Sequence, residues 1–148
     1  MLSIVLSSLE ETSEFACFVY RYLEEKKVIA LTGSMGTGKT HFTKALFQAM
    51  GGNPEEVCSP TYTYLMIHHI GLKKLYHMDL YRLEGESDFY DIGGGDLLNQ
   101  EEGLLVIEWA NRLSQPLANT LEIEFCYLGE NKREAHIQNP TPSMKAHF

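Results

Sequence analysis

Along this chain the spacing of apolar positions changes several times, and each change marks an element. Over 12–25, "TSEFACFVYRYLEE", Phe15, Phe18, Val19 and Leu23 recur at helical spacing, with Thr12 or Ser13 available as a cap. "VIALTG" (28–33) is a short apolar run of the kind that forms a buried strand. Residues 39–50, "KTHFTKALFQAM", return to helical spacing and stop at Gly51-Gly52. "YLMIHHI" (64–70) and "KLYHMDL" (74–80) flank a turn at Gly71 and predict two adjacent antiparallel strands. Residues 86–99 predict short helices broken by three successive glycines. "LLVIEW" (104–109) is a second buried strand. In "TLEIEFCYL" (120–128), Leu121, Ile123 and Phe125 alternate with Glu122 and Glu124, as in a half-exposed strand that "REAHIQ" (133–138) can pair across a turn. The mixture predicts an α/β sandwich whose sheet is partly parallel and partly antiparallel. The segment 139–148, "NPTPSMKAHF", reads as a mobile tail outside a domain of 1–138.

The junction between the first buried strand and the second helix carries the clearest chemistry. Residues 33–40 read G-S-M-G-T-G-K-T, which fits the P-loop pattern G-x-x-x-x-G-K-[ST] in the required strand–loop–helix context. Gly33 and Gly38 let the backbone turn sharply and approach oxygen atoms, and Gly36 adds freedom. The amides of residues 36–40, Thr37 among them, can face a phosphate at the positive end of the helix. Lys39 supplies a charge to the β- and γ-phosphates, and Thr40 a hydroxyl to Mg²⁺. This predicts a single-domain, P-loop NTPase-like three-layer sandwich.

Two strands end in acids, Asp79 and Glu108. Either is placed to serve the metal or to orient an attacking water. Arg82, beside Asp79, is a candidate arginine finger, with a structural role favoured; His77 is read as structural. His68, His69 and His77 are not expected to share a metal, because adjacent strand residues point to opposite faces. "SPTYT" (59–63) sets hydroxyls on both sides of Pro60, and Thr61 is a candidate γ-phosphate sensor. "NKRE" (131–134) lacks the aspartate of a guanine reader and falls in a hairpin turn, so ATP is preferred to GTP. Thr12 and the first helix are weak candidates for the adenine pocket.

Composition narrows the class. The 148 residues suit one domain, and 20 acidic against 12 basic residues give a formal charge of −8, which disfavours direct gripping of nucleic acid. Cys17, Cys58 and Cys126 form no CxxC pair, which argues against a zinc site or disulfide framework and for a cytoplasmic protein. The N-terminal stretch lacks the basic residues and apolar length of a signal peptide. No run approaches the roughly 18–20 apolar residues of a membrane span. The four arginines, Arg21, Arg82, Arg112 and Arg133, are scattered, which disfavours a small-molecule kinase with an arginine-rich lid. That kinase remains an alternative, as does a nucleotide-gated binding module without useful turnover.

Taken in order, "GSMGTGKT" (33–40), "SPTYT" (59–63), "HMDLYR" (77–82) and "IEW" (107–109) resemble the TsaE (YjeE) family of bacterial P-loop ATPases over about residues 10–115. The resemblance implies an accessory role in forming N6-threonylcarbamoyladenosine at tRNA position 37. It also implies that ATP and Mg²⁺ act at the TsaD–TsaB dimer, with tRNA met only through that complex. By the same resemblance Lys39 and Thr40 meet phosphate and Mg²⁺, Asp79 and Glu108 serve metal and hydrolysis, Thr61 belongs to a switch-like loop, and Trp109 packs near the site. This chain departs from the family's usual pattern at Met35 in the loop and at "DIGGGD" (91–96).

Overall fold

The computed structural model describes residues 1–34, 36–57, 65–114 and 117–148. Strands β1 (Leu2–Leu6), β2 (Val28–Thr32), β3 (Leu65–Ile70), β4 (Lys73–Asp79), β5 (Gly103–Glu108), β6 (Thr120–Gly129) and β7 (Lys132–Ile137) form one sheet in the order β1-β7-β6-β2-β5-β4-β3. The centre is parallel: β2 lies between β6 and β5, and β5 pairs with β4. Both wings are antiparallel, β3 on β4 at one side and β7 then β1 beyond β6 at the other. The mixed sheet agrees with the sequence expectation.

Strand alternation sends side chains to two separate cores, so the fold has three layers. On one face, Leu31, Val106, Ile123 and Phe125 pack with Phe15 and Val19 of α1 (Leu9–Arg21) and with Phe42 and Leu46 of α2 (Lys39–Ala49). On the other, Met78, Leu105 and Ile107 pack with Phe89 of α3 (Glu86–Asp91), and α4 (Gly94–Leu98) adds Leu97 and Leu98. The two short helices fall where the sequence predicts them.

Three local readings need correction. The first helix starts at Leu9 and ends at Arg21, before the expected 25, and its cap is Ser8, not Thr12 or Ser13. The Ser8 Oγ accepts from the Glu11 amide at 3.1 Å, and the Glu11 carboxylate accepts from the Ser7 amide at 2.8 Å. These bonds satisfy amides that a helix start leaves without partners. Second, β1 was not foreseen: Leu2–Leu6 pairs with β7, a partner more than a hundred residues away. Third, the supposed tail contains a docked helix, α5 (Pro142–His147). Thr141 caps it and donates its hydroxyl to the Tyr22 carbonyl at 2.7 Å. Met144 is fully buried in the α1–α2 core, which contributes about 2 kcal/mol by area. The His147 ring stacks on Tyr22 at 4.5 Å. Among the described residues, no helix is long and apolar enough to cross a membrane.

Candidate nucleotide-binding site

The loop leaves β2 at its carboxyl end and enters α2 at Lys39. Two glycines are sterically required. Gly33 sits at φ 134°, where a Cβ would meet the Phe125 carbonyl oxygen at 2.4 Å. Gly38 caps α2 in the left-handed region at φ 101°. Side chains would strain both positions. Gly36 also has positive φ, at 77°. Thr37 is buried, and its hydroxyl donates to the Ser34 carbonyl at 2.6 Å, fastening the loop across its mouth. Lys39 folds inward and donates to the carbonyls of Gly33 at 2.6 Å and Ser34 at 3.0 Å. Burial lowers its pKa, opposed by Glu108 and Asp79. An anion in the loop would add to those two carboxylates in offsetting the burial of the ammonium.

The acids come from the two strands on one side of β2. Asp79 and Glu108 are register partners at the ends of β4 and β5. Strand alternation turns both toward the α2 face, together with His77, two residues before Asp79. Glu108 is buried and its Oε1 lies 3.5 Å from the Thr40 hydroxyl. Its other oxygen is in a short hydrogen bond with Nε2 of the fully buried His77. Asp79 accepts from the Tyr81 amide at 2.9 Å. Burial chiefly raises its pKa; the Tyr81 amide opposes this, and the Glu108 carboxylate beside it adds to the rise. Two carboxylates and a hydroxyl gathered beside a phosphate loop are the hard oxygen donors that Mg²⁺ takes, the rest of its shell being water and phosphate. Among the described residues, no cluster of three His, Cys, Asp or Glu side chains could cage a metal by protein ligands alone. His68 faces Phe47 and is buried, whereas His69 is exposed, the opposite-face placement that alternation requires.

Trp109 follows Glu108 at φ 59° and ψ 39°, a left-handed conformation uncommon for a bulky side chain. Its ring lies 4.9 Å from that of Tyr81, and the Lys39 ammonium sits 4.4 Å over it. One cation thus touches both loop carbonyls and an aromatic face. Arg82 stands on the exposed turn after β4.

Two candidates do not join this group. Thr12 is buried in α1, with its hydroxyl already donating to the Ser8 carbonyl at 3.3 Å. Thr61, with the rest of 59–63, lies outside the described residues, as does Met35. Sequence reading undervalued His77, although its two-residue spacing from Asp79 places both on one strand face. The placement of Arg133 next to the loop carried no local signal.

A family model described as threonylcarbamoyl adenosine biosynthesis protein TsaE matches residues 6–135. The chain belongs to the TsaE family. Several proteins named tRNA threonylcarbamoyladenosine biosynthesis protein TsaE are similar over most of this chain. That of Treponema pallidum is 41% identical over 135 residues, covering 90% of this chain and 97% of the relative. That of Aquifex aeolicus is 38% identical, covering 90% and 93%. The crystal structure of Bacillus subtilis YdiB superposes with a TM-score of 0.68 at 25% identity, covering 98% of this chain and 89% of that one. The TsaE assignment therefore rests on agreement along the whole domain as well as on the loop.

Proposed function

We propose that this TsaE-family protein binds ATP with Mg²⁺ in the 33–40 loop, hydrolyses it slowly, and so serves N6-threonylcarbamoyladenosine formation at tRNA position 37 in the cytoplasm. The observation that carries the reading is convergence: Lys39, Thr40, Asp79 and Glu108 meet on one sheet face beside the loop.

Lys39 exchanges its bonds to the Gly33 and Ser34 carbonyls for phosphate oxygens. Thr40 and Glu108, with Asp79 beside them, are the residues that would hold Mg²⁺, whose chemistry there is to neutralise charge across the β- and γ-phosphates. The Glu108 carboxylate orients the attacking water and accepts its proton. His77 fixes one oxygen of that carboxylate, leaving the other toward Thr40.

The protein acts with TsaD–TsaB in this reading, and the partner complex handles tRNA. The net charge of −8 suits contact with a protein better than contact with a phosphate backbone. Reconstitution tests it: tRNA adenosine modification by TsaD–TsaB is measured with and without this protein and ATP. Modification over many turnovers is expected to require both. Equal yield without the protein would remove the proposed role.

A further inference from the structure

The other side of β2 holds a cation that the loop motif does not include. β6 neighbours β2 there, and the β6–β7 hairpin turns back at Gly129 and Asn131 toward Lys132. Register pairs Arg133 with Tyr127 and with Leu6, and Leu6 is buried in the α1–α2 core. Arg133 therefore points to the sheet face that carries the loop. Its side chain lies on Gly38: a Cβ built there would be 2.1 Å from one guanidinium nitrogen and 3.2 Å from Cδ. Among the described residues Arg133 has no carboxylate within ion-pairing distance. One turn into α2, on the same side of the helix as Gly38, His41 keeps a buried Nε2 without a hydrogen-bond partner. Among the described residues, a guanidinium without an ion pair and a ring nitrogen without a hydrogen-bond partner thus flank the start of α2, on the side of β2 opposite the strands of Asp79 and Glu108.

We propose that Arg133 is a nucleotide-binding residue that contacts the nucleoside-proximal phosphate of an adenine nucleotide; the inference rests on the ATP reading of the loop. The phosphate chain has two ends. The acids on β4 and β5 fix where the metal and the terminal phosphate belong, because only there can a cation separate carboxylates from phosphate. The chain's other end then leaves toward β6 and β7, where Arg133 waits. A guanidinium supplies a planar fork for phosphate oxygens, which a lysine at the same position would not reproduce. This role differs from an arginine finger, which acts on the terminal phosphate and would leave ADP affinity alone.

The test measures dissociation constants of Mg·ATP and Mg·ADP for the full chain, for Arg133→Ala and for Arg133→Lys, with melting temperatures as a control on folding. Arg133→Ala is expected to weaken both nucleotides by about tenfold, a charge-assisted hydrogen bond's share, and to keep their ratio. Arg133→Lys is expected to recover part of the loss. Unchanged affinities in a folded Arg133→Ala protein would overturn the proposal, as would a loss confined to ATP. A second measurement avoids mutation: phenylglyoxal labelling of the wild-type protein, mapped by mass spectrometry, should show ADP protecting Arg133. Equal labelling with and without saturating ADP would also overturn it. If the wild-type chain binds neither nucleotide, the reading of the loop falls first and this inference with it.

Discussion

The two flanks of β2 differ in how they reach the same loop. On the β5 side, charged groups stand at strand ends: Asp79 and Glu108 sit in register, and His77 lies behind them. These are buried or half-buried acids, and burial, with a lesser contribution from the Glu108 carboxylate, raises the pKa of Asp79. On the β6 side, a hairpin brings one arginine over Gly38, with no carboxylate among the described residues to neutralise it. One flank is short of cations and the other of anions. A magnesium-bound polyphosphate laid across the loop would satisfy both, whereas either flank alone would suit only half of it.

The contrast is open to several tests. The largest expected effect is from Lys39→Ala, which removes the charge shared by the two flanks. Mg·ATP affinity should fall by roughly 30- to 100-fold, the value of a charged hydrogen-bonding group. Calorimetric titration that returned wild-type affinity would break the assignment of the loop. Next comes Glu108→Gln, which keeps volume while removing the carboxylate. ATP turnover should drop by about 10²- to 10³-fold while nucleotide still binds, and unchanged phosphate release would remove Glu108 from catalysis.

Asp79→Asn should act in opposite directions on stability and activity. Asn keeps an oxygen for the Tyr81 amide but ends the burial of a charge. Because the folded-state pKa of Asp79 is raised, the native protein is favoured at low pH and loses that contribution as pH rises through the folded value. The variant should therefore melt slightly higher than wild type at neutral pH, with the difference closing in acid, while Mg²⁺-dependent turnover falls. A melting point below wild type at neutral pH would show that the acid is stabilising where it sits. The smallest effect is spectroscopic. Trp109 is the single tryptophan, and Lys39 lies over its ring. Drawing Lys39 to a phosphate should change the emission on adding Mg·ATP; no change at saturation would mean that the lysine stays on the ring.

Legibility followed the range of the interactions. The loop, α2 and the acids at the ends of β4 and β5 were readable because each is set by neighbours in sequence. A glycine must take positive φ, a lysine must follow it, and a strand must end. His77 was readable in principle from its spacing to Asp79, yet its role depends on Glu108, 31 residues away. β1 was missed because Leu2–Leu6 is short and gains its hydrogen bonds only from β7. α5 was missed because its burial rests on a single side chain, Met144, in a segment rich in proline and polar residues.

By itself, the sequence determined that the chain folds as an α/β phosphate-loop domain with two acidic strand ends, since hydrophobic period and backbone sterics act over a few residues. Tertiary structure decided which side chains share the loop. Parallel pairing of β4 with β5 aligned Asp79 with Glu108, and the β6–β7 hairpin carried Arg133 back over Gly38. Such proximity comes from strand order and register, which are fixed by burying two opposite sheet faces at once. "NKRE", set aside as a guanine reader when read along the chain, thus returns through Arg133 as part of the loop's surroundings.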